Sequence, residues 1–323
     1  MTQPSKLSAN ARNPRPRVAL RTVAGGFVLA FTLSACSVAP LPDDGAASAS
    51  ATDSRPVVVT TFSVLADLVR QIGGDRVRVE SITKPGAEIH GYEPTPSDLK
   101  RIADADLLLN NGLGLEAWFE RFVQTIDAPR VTLSEGIEAI PITVGGYAGH
   151  PNPHAWIAPS QARIYVKNAL VALSDLAPQD ASYFKQNAAV LDQKLDDILA
   201  SARERLSGGT TSALVTCEGA FSYLARDLNI GEHYLWPVNA ESEGSPRQIR
   251  EQIAYVRSNK IPAVFCESTV PAGPQERVAA ETGAEWGWTL YVDSLSTADG
   301  PVPDYLSLVE YTVDKIVEGL HDS

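Results

Sequence analysis

Short apolar runs alternate with amphipathic segments along the chain after residue 55. The run at 56–62 is rich in β-branched residues and has the length of a buried parallel strand, and residues 63–72 follow with apolar positions at helical spacing. The same alternation continues to residue 177. It predicts strands at 56–62, 77–82, 107–110 and 131–133, and helices at 63–72, 95–103 (capped by Thr95 or Ser97), 115–126 and 160–173.

A longer helical pattern occupies residues 178–206. Phe184, Leu191 and Leu195 recur at helical spacing with charged residues between them, and a Gly-Gly pair follows as a helix stop. A helix of about 29 residues spans roughly 43 Å, which is enough to run the length of two lobes. We therefore interpret this segment as a strut between two lobes. The alternative is an ordinary core helix.

Beyond this segment the alternation of strands and helices restarts. The folded part of the chain is longer than one hydrophobic core usually serves, so we expect two lobes. The predicted fold class is α/β, with two lobes that each carry a mainly parallel sheet flanked by helices, joined by one long rigid helix. The predicted strands are 212–216, 234–238, 263–265 and 289–292, and the helices are 221–228, 246–259 (capped by Ser245), 274–282 and 303–320. The predicted units are a first lobe at 56–177, a linking helix at 178–207 and a second lobe at 208–323.

Residues 1–36 are predicted to be a leader, which is set aside from the fold. The leader carries five basic and no acidic residues, and its apolar run at 23–33 is too short to span a membrane. The run ends in LSAC at 33–36, which resembles the bacterial lipobox, where the chain is cleaved and the cysteine is lipidated. The alternative is an ordinary secretory signal with an incidental cysteine. Residues 37–55 are then a flexible tether, and we expect an extracytoplasmic protein that is lipid-anchored to the membrane through Cys36.

Charge and cysteine content narrow the possible partners. The 323-residue chain has a formal net charge of −12, and its leader holds no acidic residue. The remaining surface is therefore acidic, which argues against nucleic acid as a partner. After Cys36 only Cys217 and Cys266 remain. An even pair in an exported chain is expected to be oxidised, so we predict a disulfide between them; the alternative is two buried free thiols.

Three of the five histidines lie in two loops of the first predicted lobe. His90 stands in a Gly- and Pro-rich stretch after the strand at 77–82, and therefore at the carboxyl end of that strand. His154 stands in a proline-flanked stretch, and His150 is interpreted as a loop residue. In isolation each is more often a structural histidine than a metal ligand. The remaining two, interpreted as structural or exposed, are His233 and His321.

Two carboxylates of the second predicted lobe occupy comparable positions. Glu218 comes just after the strand at 212–216, and Asp293 comes just after the strand at 289–292. Ligands of parallel sheets bind beyond the carboxyl ends of the strands. Both carboxylates therefore fall where a cleft between two lobes is expected.

In these features the chain resembles the substrate-binding proteins of manganese and zinc ABC importers, over nearly all of its mature length. The motifs that carry the resemblance are His90 with PTPSD at 94–98, NPHAW at 152–156, EGAFSYLARD at 218–227 and LYVDSLS at 290–296. The resemblance implies two α/β lobes joined by a rigid helix, a membrane permease as partner, and a metal site made of His90, His154, Glu218 and Asp293. Some cyanobacterial-type manganese binders also carry a cysteine pair. Because Cys217 directly precedes Glu218, we hypothesise that the bridge positions this carboxylate.

The implied donor set bears on the metal. Zinc-type members usually have a histidine in place of Glu218 and a longer His- and acid-rich loop before the second ligand, whereas residues 142–153 here contain only His150. Two imidazoles and two carboxylates make an oxygen-rich site, and bidentate carboxylates permit more than four donor atoms. Such a site suits Mn²⁺ or Fe²⁺ better than tetrahedral Zn²⁺. We therefore expect Mn²⁺, with Zn²⁺ and Fe²⁺ as the alternatives.

Two other classes of function are compatible with parts of the sequence. A metallohydrolase would keep a ligand position open for water beside a general base, and no HExxH motif is present, so we do not expect an enzyme. A surface adhesin with a structural metal also fits the sequence. The favoured interpretation is a monomeric solute-binding component that captures a divalent metal ion between two lobes and delivers it to an ABC permease.

Overall fold

The structure is a computed structural model that describes residues 53–123, 126–208, 213–238 and 244–321. The predicted leader, the lipidation site Cys36 and most of the predicted tether lie outside these residues. Across the described segments, no helix combines the length and the apolar character needed to cross a membrane.

The first half of the fold is built on a parallel sheet with the strand order β2-β1-β3-β4. The central strands are apolar on both faces because both faces are covered: Val58 and Leu109 belong to one hydrophobic cluster, while Val59 and Leu108 belong to another. The strands are β1 Val57–Thr60, β2 Arg78–Ser81, β3 Leu107–Asn110 and β4 Arg130–Thr132, and the helices are α1 Ser63–Gly73, α2 Pro96–Ala103, α3 Ala117–Val123 and α4 Pro159–Leu176.

The long central helix, α5, spans Ala181–Leu206 and follows a 3₁₀ turn at Pro178–Asp180. Its predicted apolar positions Phe184, Leu191 and Leu195 are buried, because α5 packs against α1 and α4 on its apolar stripe. The helix has 26 residues and is therefore about 39 Å long. Its length confirms the predicted long helix, which begins three residues later than the pattern indicated.

The second half carries two parallel ribbons, β5 with β6 and β7 with β8, rather than one continuous sheet. Where β5 and β7 lie side by side, the backbone N–H of Glu218 donates to the side chain of Glu267 at 3.1 Å instead of to a strand carbonyl. The strands are β5 Ala213–Glu218, β6 Gly231–Trp236, β7 Ala263–Glu267 and β8 Glu285–Leu290, and the helices are α6 Ser222–Leu228, α7 Pro246–Asn259, α8 Gly273–Thr282 and α9 Tyr305–His321.

The helices α6 and α9 of the second half also pack against α5. One hydrophobic cluster accordingly runs from Val58 on β1, through Leu195 on α5, to Leu308 on α9. The two halves thus share a core along the long helix. We keep the predicted lobe bounds, 56–177 and 208–323, as a proposal.

The sequence signals for helix caps predicted the first residues of α2 and α7. Thr95, one of the two predicted caps of α2, and Ser245, the predicted cap of α7, each accept a hydrogen bond from the backbone N–H three residues on. The structure adds a capping box at both positions. Two strands, β6 and β8, differ most from the predicted bounds. β6 begins at Gly231, so that His233 lies within a strand, and β8 ends at Leu290, so that Asp293 lies in the connection beyond it.

Candidate metal centre

The four predicted ligands, two from each half of the fold, converge on one point. His90 Nε2 lies 3.1 Å from His154 Nε2, 3.3 Å from Glu218 Oε1 and 3.7 Å from Asp293 Oδ2. His154 Nε2 lies 3.6 Å from the same glutamate oxygen and 3.5 Å from Asp293 Oδ1. Donor atoms bound at 2.0–2.2 Å to one ion in tetrahedral geometry would be about 3.3–3.6 Å apart. The observed separations of 3.1–3.7 Å bracket this range, so that one metal ion could be shared by the four side chains.

His90 is held by its own loop, which leaves β2 and leads to α2. The side chain of Glu88 accepts hydrogen bonds from the backbone N–H groups of Ile89 at 2.9 Å and His90 at 2.7 Å. The indole Nε1 of Trp118 on α3 donates to the carbonyl oxygen of Ile89 at 3.2 Å. These contacts on both sides fix the backbone from which the imidazole projects.

His154 is held from both halves of the fold. Its Nδ1 lies 2.9 Å from Oδ1 of Asn152, whose Nδ2 donates to the carbonyl oxygen of Gly219 at 2.6 Å. Trp156 packs beside the imidazole and donates from Nε1 to the carbonyl oxygen of Val292 at 2.8 Å. A metal-ligating histidine usually donates its second ring N–H to such an acceptor, which fixes its tautomer and orientation. Nε2 is thereby left to face the other ligands.

Glu218 is the last residue of β5 and is braced from β7. The structure contains the predicted disulfide between Cys217 and Cys266, with their Cα atoms 4.9 Å apart. Each cysteine precedes a buried glutamate, and the carboxylate of Glu267 accepts the backbone N–H of Glu218. Burial raises the pKa of Glu267 to about 8. The bridge and this hydrogen bond join the two ribbons beside the proposed ligand.

Asp293 lies in a segment that is tied to the His90 loop. The backbone N–H of Gly86 donates to Oγ of Ser294 at 2.6 Å and to the carbonyl oxygen of Leu295 at 3.2 Å. Ser63, at the start of α1, accepts the backbone N–H of Leu295 at 3.1 Å. These bonds cross from the first half to the second. They couple the loop of one imidazole to the segment of one carboxylate.

Burial sets the electrostatics of the centre. His154, Glu218 and Asp293 have no exposed side-chain surface, and His90 is 4 % exposed. Burial lowers the pKa of His90 to about 3, and burial together with the neighbouring His90 lowers that of His154 well below its usual range. Both imidazoles are therefore neutral at physiological pH, which is the form that binds metal. Two neutral nitrogens and two carboxyl groups, enclosed together, suit a single divalent cation.

His150 and His233 lie outside this cluster. His150 is exposed beside Tyr147 and lines a cavity of about 200 Å³ that reaches His90, but it is not among the grouped donors. His233 stacks on Tyr255 with ring centroids 3.9 Å apart, and its Nδ1 lies 2.6 Å from Gln252 Oε1. His150 thus lies in a loop, as predicted. His233 has a structural role, but it lies within β6 and not in the loop that the pattern indicated.

The sequence reasoning missed the residues that hold the ligands. Asn152 stands at the start of the NPHAW motif, where only its position two residues before His154 gave a local signal. Glu267 and Ser294 gave none, because their partners are distant in the sequence.

The chain is similar to several known proteins. Residues 58–319 match the family described as zinc-uptake complex component A, periplasmic. The chain is 48 % identical over 303 residues to the iron-binding protein YfeA of Yersinia pestis, covering 93 % of this chain and 96 % of that protein. It is 32 % identical over 303 residues to the manganese ABC transporter substrate-binding lipoprotein PsaA of Streptococcus pneumoniae, covering 91 % and 96 %. The solved structure of the Mn-bound periplasmic metal binding protein from Candidatus Liberibacter asiaticus superposes with a TM-score of 0.77 at 36 % identity, covering 82 % of this chain and all of that one.

Proposed function

We propose that this chain, which belongs to the family of the periplasmic component A of zinc-uptake complexes, carries Mn²⁺ as its cargo. Membership of this family makes it the substrate-binding component of a metal ABC importer and not an enzyme. The same proposal includes the lipid anchor at Cys36, an extracytoplasmic location, a monomeric state and delivery of the ion to the membrane permease.

The donor set is the observation that supports Mn²⁺. The carboxyl groups of Glu218 and Asp293 approach both imidazole Nε2 atoms at 3.3–3.7 Å. Carboxylate oxygens are ligands that Mn²⁺ prefers, and each can bind through two atoms, so that the coordination number can exceed four. A zinc site needs no more than four donors and favours nitrogen and sulfur.

Fe²⁺ is the second candidate, because the relative that is 48 % identical is an iron-binding protein. Imidazole and carboxylate ligands serve both ions. Affinity alone does not assign the cargo, since Zn²⁺ binds more tightly than Mn²⁺ to most sites of given ligands.

Delivery follows from the distribution of the ligands. His90 and His154 belong to one half, and Glu218 and Asp293 to the other, so that a bound ion joins the halves. Separation of the two pairs on docking to the permease would dismantle the site and release the ion. Because the core along α5 is shared, we expect this movement to be confined to the ligand loops.

Metal analysis of the protein purified from its native envelope, without added metal, tests the proposal. We expect Mn²⁺ as the dominant bound metal and its loss in Asp293→Asn. The matched control His233→Ala, which changes a histidine outside the cluster, should keep the metal. Dominant iron would favour the second candidate, and wild-type protein without any bound transition metal would contradict the proposed site.

A further inference from the structure

A chain of hydrogen bonds connects His154 to the side chain of Glu232 on β6, outside the metal centre. His154 Nδ1 lies 2.9 Å from Asn152 Oδ1, and Asn152 Nδ2 donates to Ser222 Oγ at 3.1 Å. The hydroxyl of Ser222 donates in turn to Glu232 Oε2, while Glu232 Oε1 accepts the backbone N–H of Phe221 at 2.8 Å. This series of hydrogen bonds thus crosses from the first half of the fold to the second.

The order of donors and acceptors gives the series of hydrogen bonds a direction, from His154 toward Glu232. If Nε2 of His154 binds the metal, the proton of the neutral ring sits on Nδ1 and is donated to Asn152. The amide group of Asn152 must then face Gly219 and Ser222 with its NH₂ end. Ser222 accepts from that amide and donates its own proton to Glu232. An ionised Glu232 can only accept, whereas a protonated Glu232 carries an O–H group that can donate. An ionised Glu232 therefore keeps every donor in the chain directed away from the metal centre.

We propose that Glu232 is a positioning residue that strengthens metal binding by orienting Asn152 and, through it, the ring of His154. The proposal rests on the proposed metal site. Loss of an outer partner of a metal-ligating histidine costs about 10- to 100-fold in affinity. Glu232 acts two hydrogen bonds beyond Asn152, which Gly219 also holds. The expected loss of affinity is therefore smaller than that, about threefold to tenfold.

The ionisation of Glu232 makes this support depend on pH. Burial raises the pKa of Glu232 to about 7. Above pH 7 the side chain is ionised and accepts from Ser222. As the pH falls through 7, a protonated Glu232 can donate to Ser222 instead, and the direction of the chain is lost. Among the residues that the structure describes, the charged and titratable groups that line the cavity beside Glu232 are His233, Tyr234, Arg247 and Glu251. The charge of Glu232 also helps to raise the pKa of Glu267.

Calorimetric titration of the full chain with Mn²⁺ alone tests this role. Glu232→Gln should bind more weakly than the wild type by about threefold to tenfold at about pH 8, and the two should bind alike at about pH 6. The matched control is Glu251→Gln, which makes the same substitution in the same cavity. Glu251 pairs with Arg247 at 2.8 Å and takes no part in the chain, so this variant should bind like the wild type at both values.

Ser222→Ala provides the second test, because it removes the link and leaves Glu232 in place. It should show the same pH-dependent deficit, and adding Glu232→Gln to it should cause no further loss. Equal affinities of Glu232→Gln and the wild type at about pH 8, or a deficit that is the same at both pH values, would overturn the role. A wild type that does not bind Mn²⁺ would count against the proposed function instead. Thermal unfolding of each variant confirms that it is folded.

Discussion

Replacing Cys217 and Cys266 by serine should lower both the free energy of unfolding and the affinity for Mn²⁺. The bridge joins residues separated by 49 positions. In the chain-entropy account, a closed loop of that size stabilises the folded state by about 4 kcal/mol through restriction of the unfolded chain. The loss of stability should approach this value, as measured by urea denaturation of metal-free protein.

The loss of affinity has a local cause. The bridge fixes Cys217 directly before Glu218, and it fixes Cys266 directly before Glu267, which accepts the backbone N–H of Glu218 at 3.1 Å. Without the bridge the two ribbons can separate at this point, and the carboxylate loses part of its support. We expect about a tenfold weaker Mn²⁺ affinity, at the low end of what loss of outer support costs a metal site.

A control separates these two effects. Val278 on α8 is fully buried in the same hydrophobic cluster as the bridge. Val278→Ala should cost roughly 2 kcal/mol of stability through a core cavity and leave Mn²⁺ affinity unchanged. If the double serine variant loses stability but binds Mn²⁺ as tightly as the wild type, the bridge does not position Glu218, and the reasoning from its location is wrong.

Two further variants test the donor set and a buried acid. Glu218→His replaces an oxygen donor by a nitrogen donor and removes a negative charge. In a competition experiment, the ratio of bound Mn²⁺ to bound Zn²⁺ should therefore fall. An unchanged ratio would contradict the argument from oxygen donors. Burial raises the pKa of Glu116, which accepts the hydroxyl of Thr61 at 2.7 Å, to about 7. The contribution of Glu116 to stability is therefore fully present below about pH 4.5 and is lost as the pH rises through 7. The free energy of unfolding of Glu116→Gln, measured in urea titrations, should therefore depend less on pH across that range. A pH dependence like that of the wild type would refute this.

The four proposed ligands were chosen through the family resemblance, because each lies in a motif that carries it. Periodicity alone placed His90 in a loop after a strand and Glu218 near the end of an apolar strand run, where parallel sheets bind ligands. It did not distinguish a metal ligand from a structural residue. The helix caps Thr95 and Ser245 were predictable from local sequence, because a cap and its partner lie within four residues.

The supports of the ligands could not be predicted in this way. The bond from Asn152 to Ser222 joins residues 70 positions apart, and the contact between Ser63 and Ser294 joins residues 231 positions apart. Periodicity reports which face of an element is buried, but it does not report which distant side chain lies against it. The division of the second half into two ribbons could not be predicted for the same reason, because it depends on the contact between β5 and β7, which are distant in the sequence.

The enclosure of the four proposed ligands has a consequence for residence time. Three of them are without exposed side-chain surface, and the fourth, His90, is 4 % exposed. An ion in such a site departs when a loop opens, so its dissociation rate depends on how often local opening occurs as well as on the strength of the bonds. The bound ion would then remain in its site through many diffusive encounters of the protein with the membrane. The throughput of import would accordingly depend on how fast the permease opens the loops.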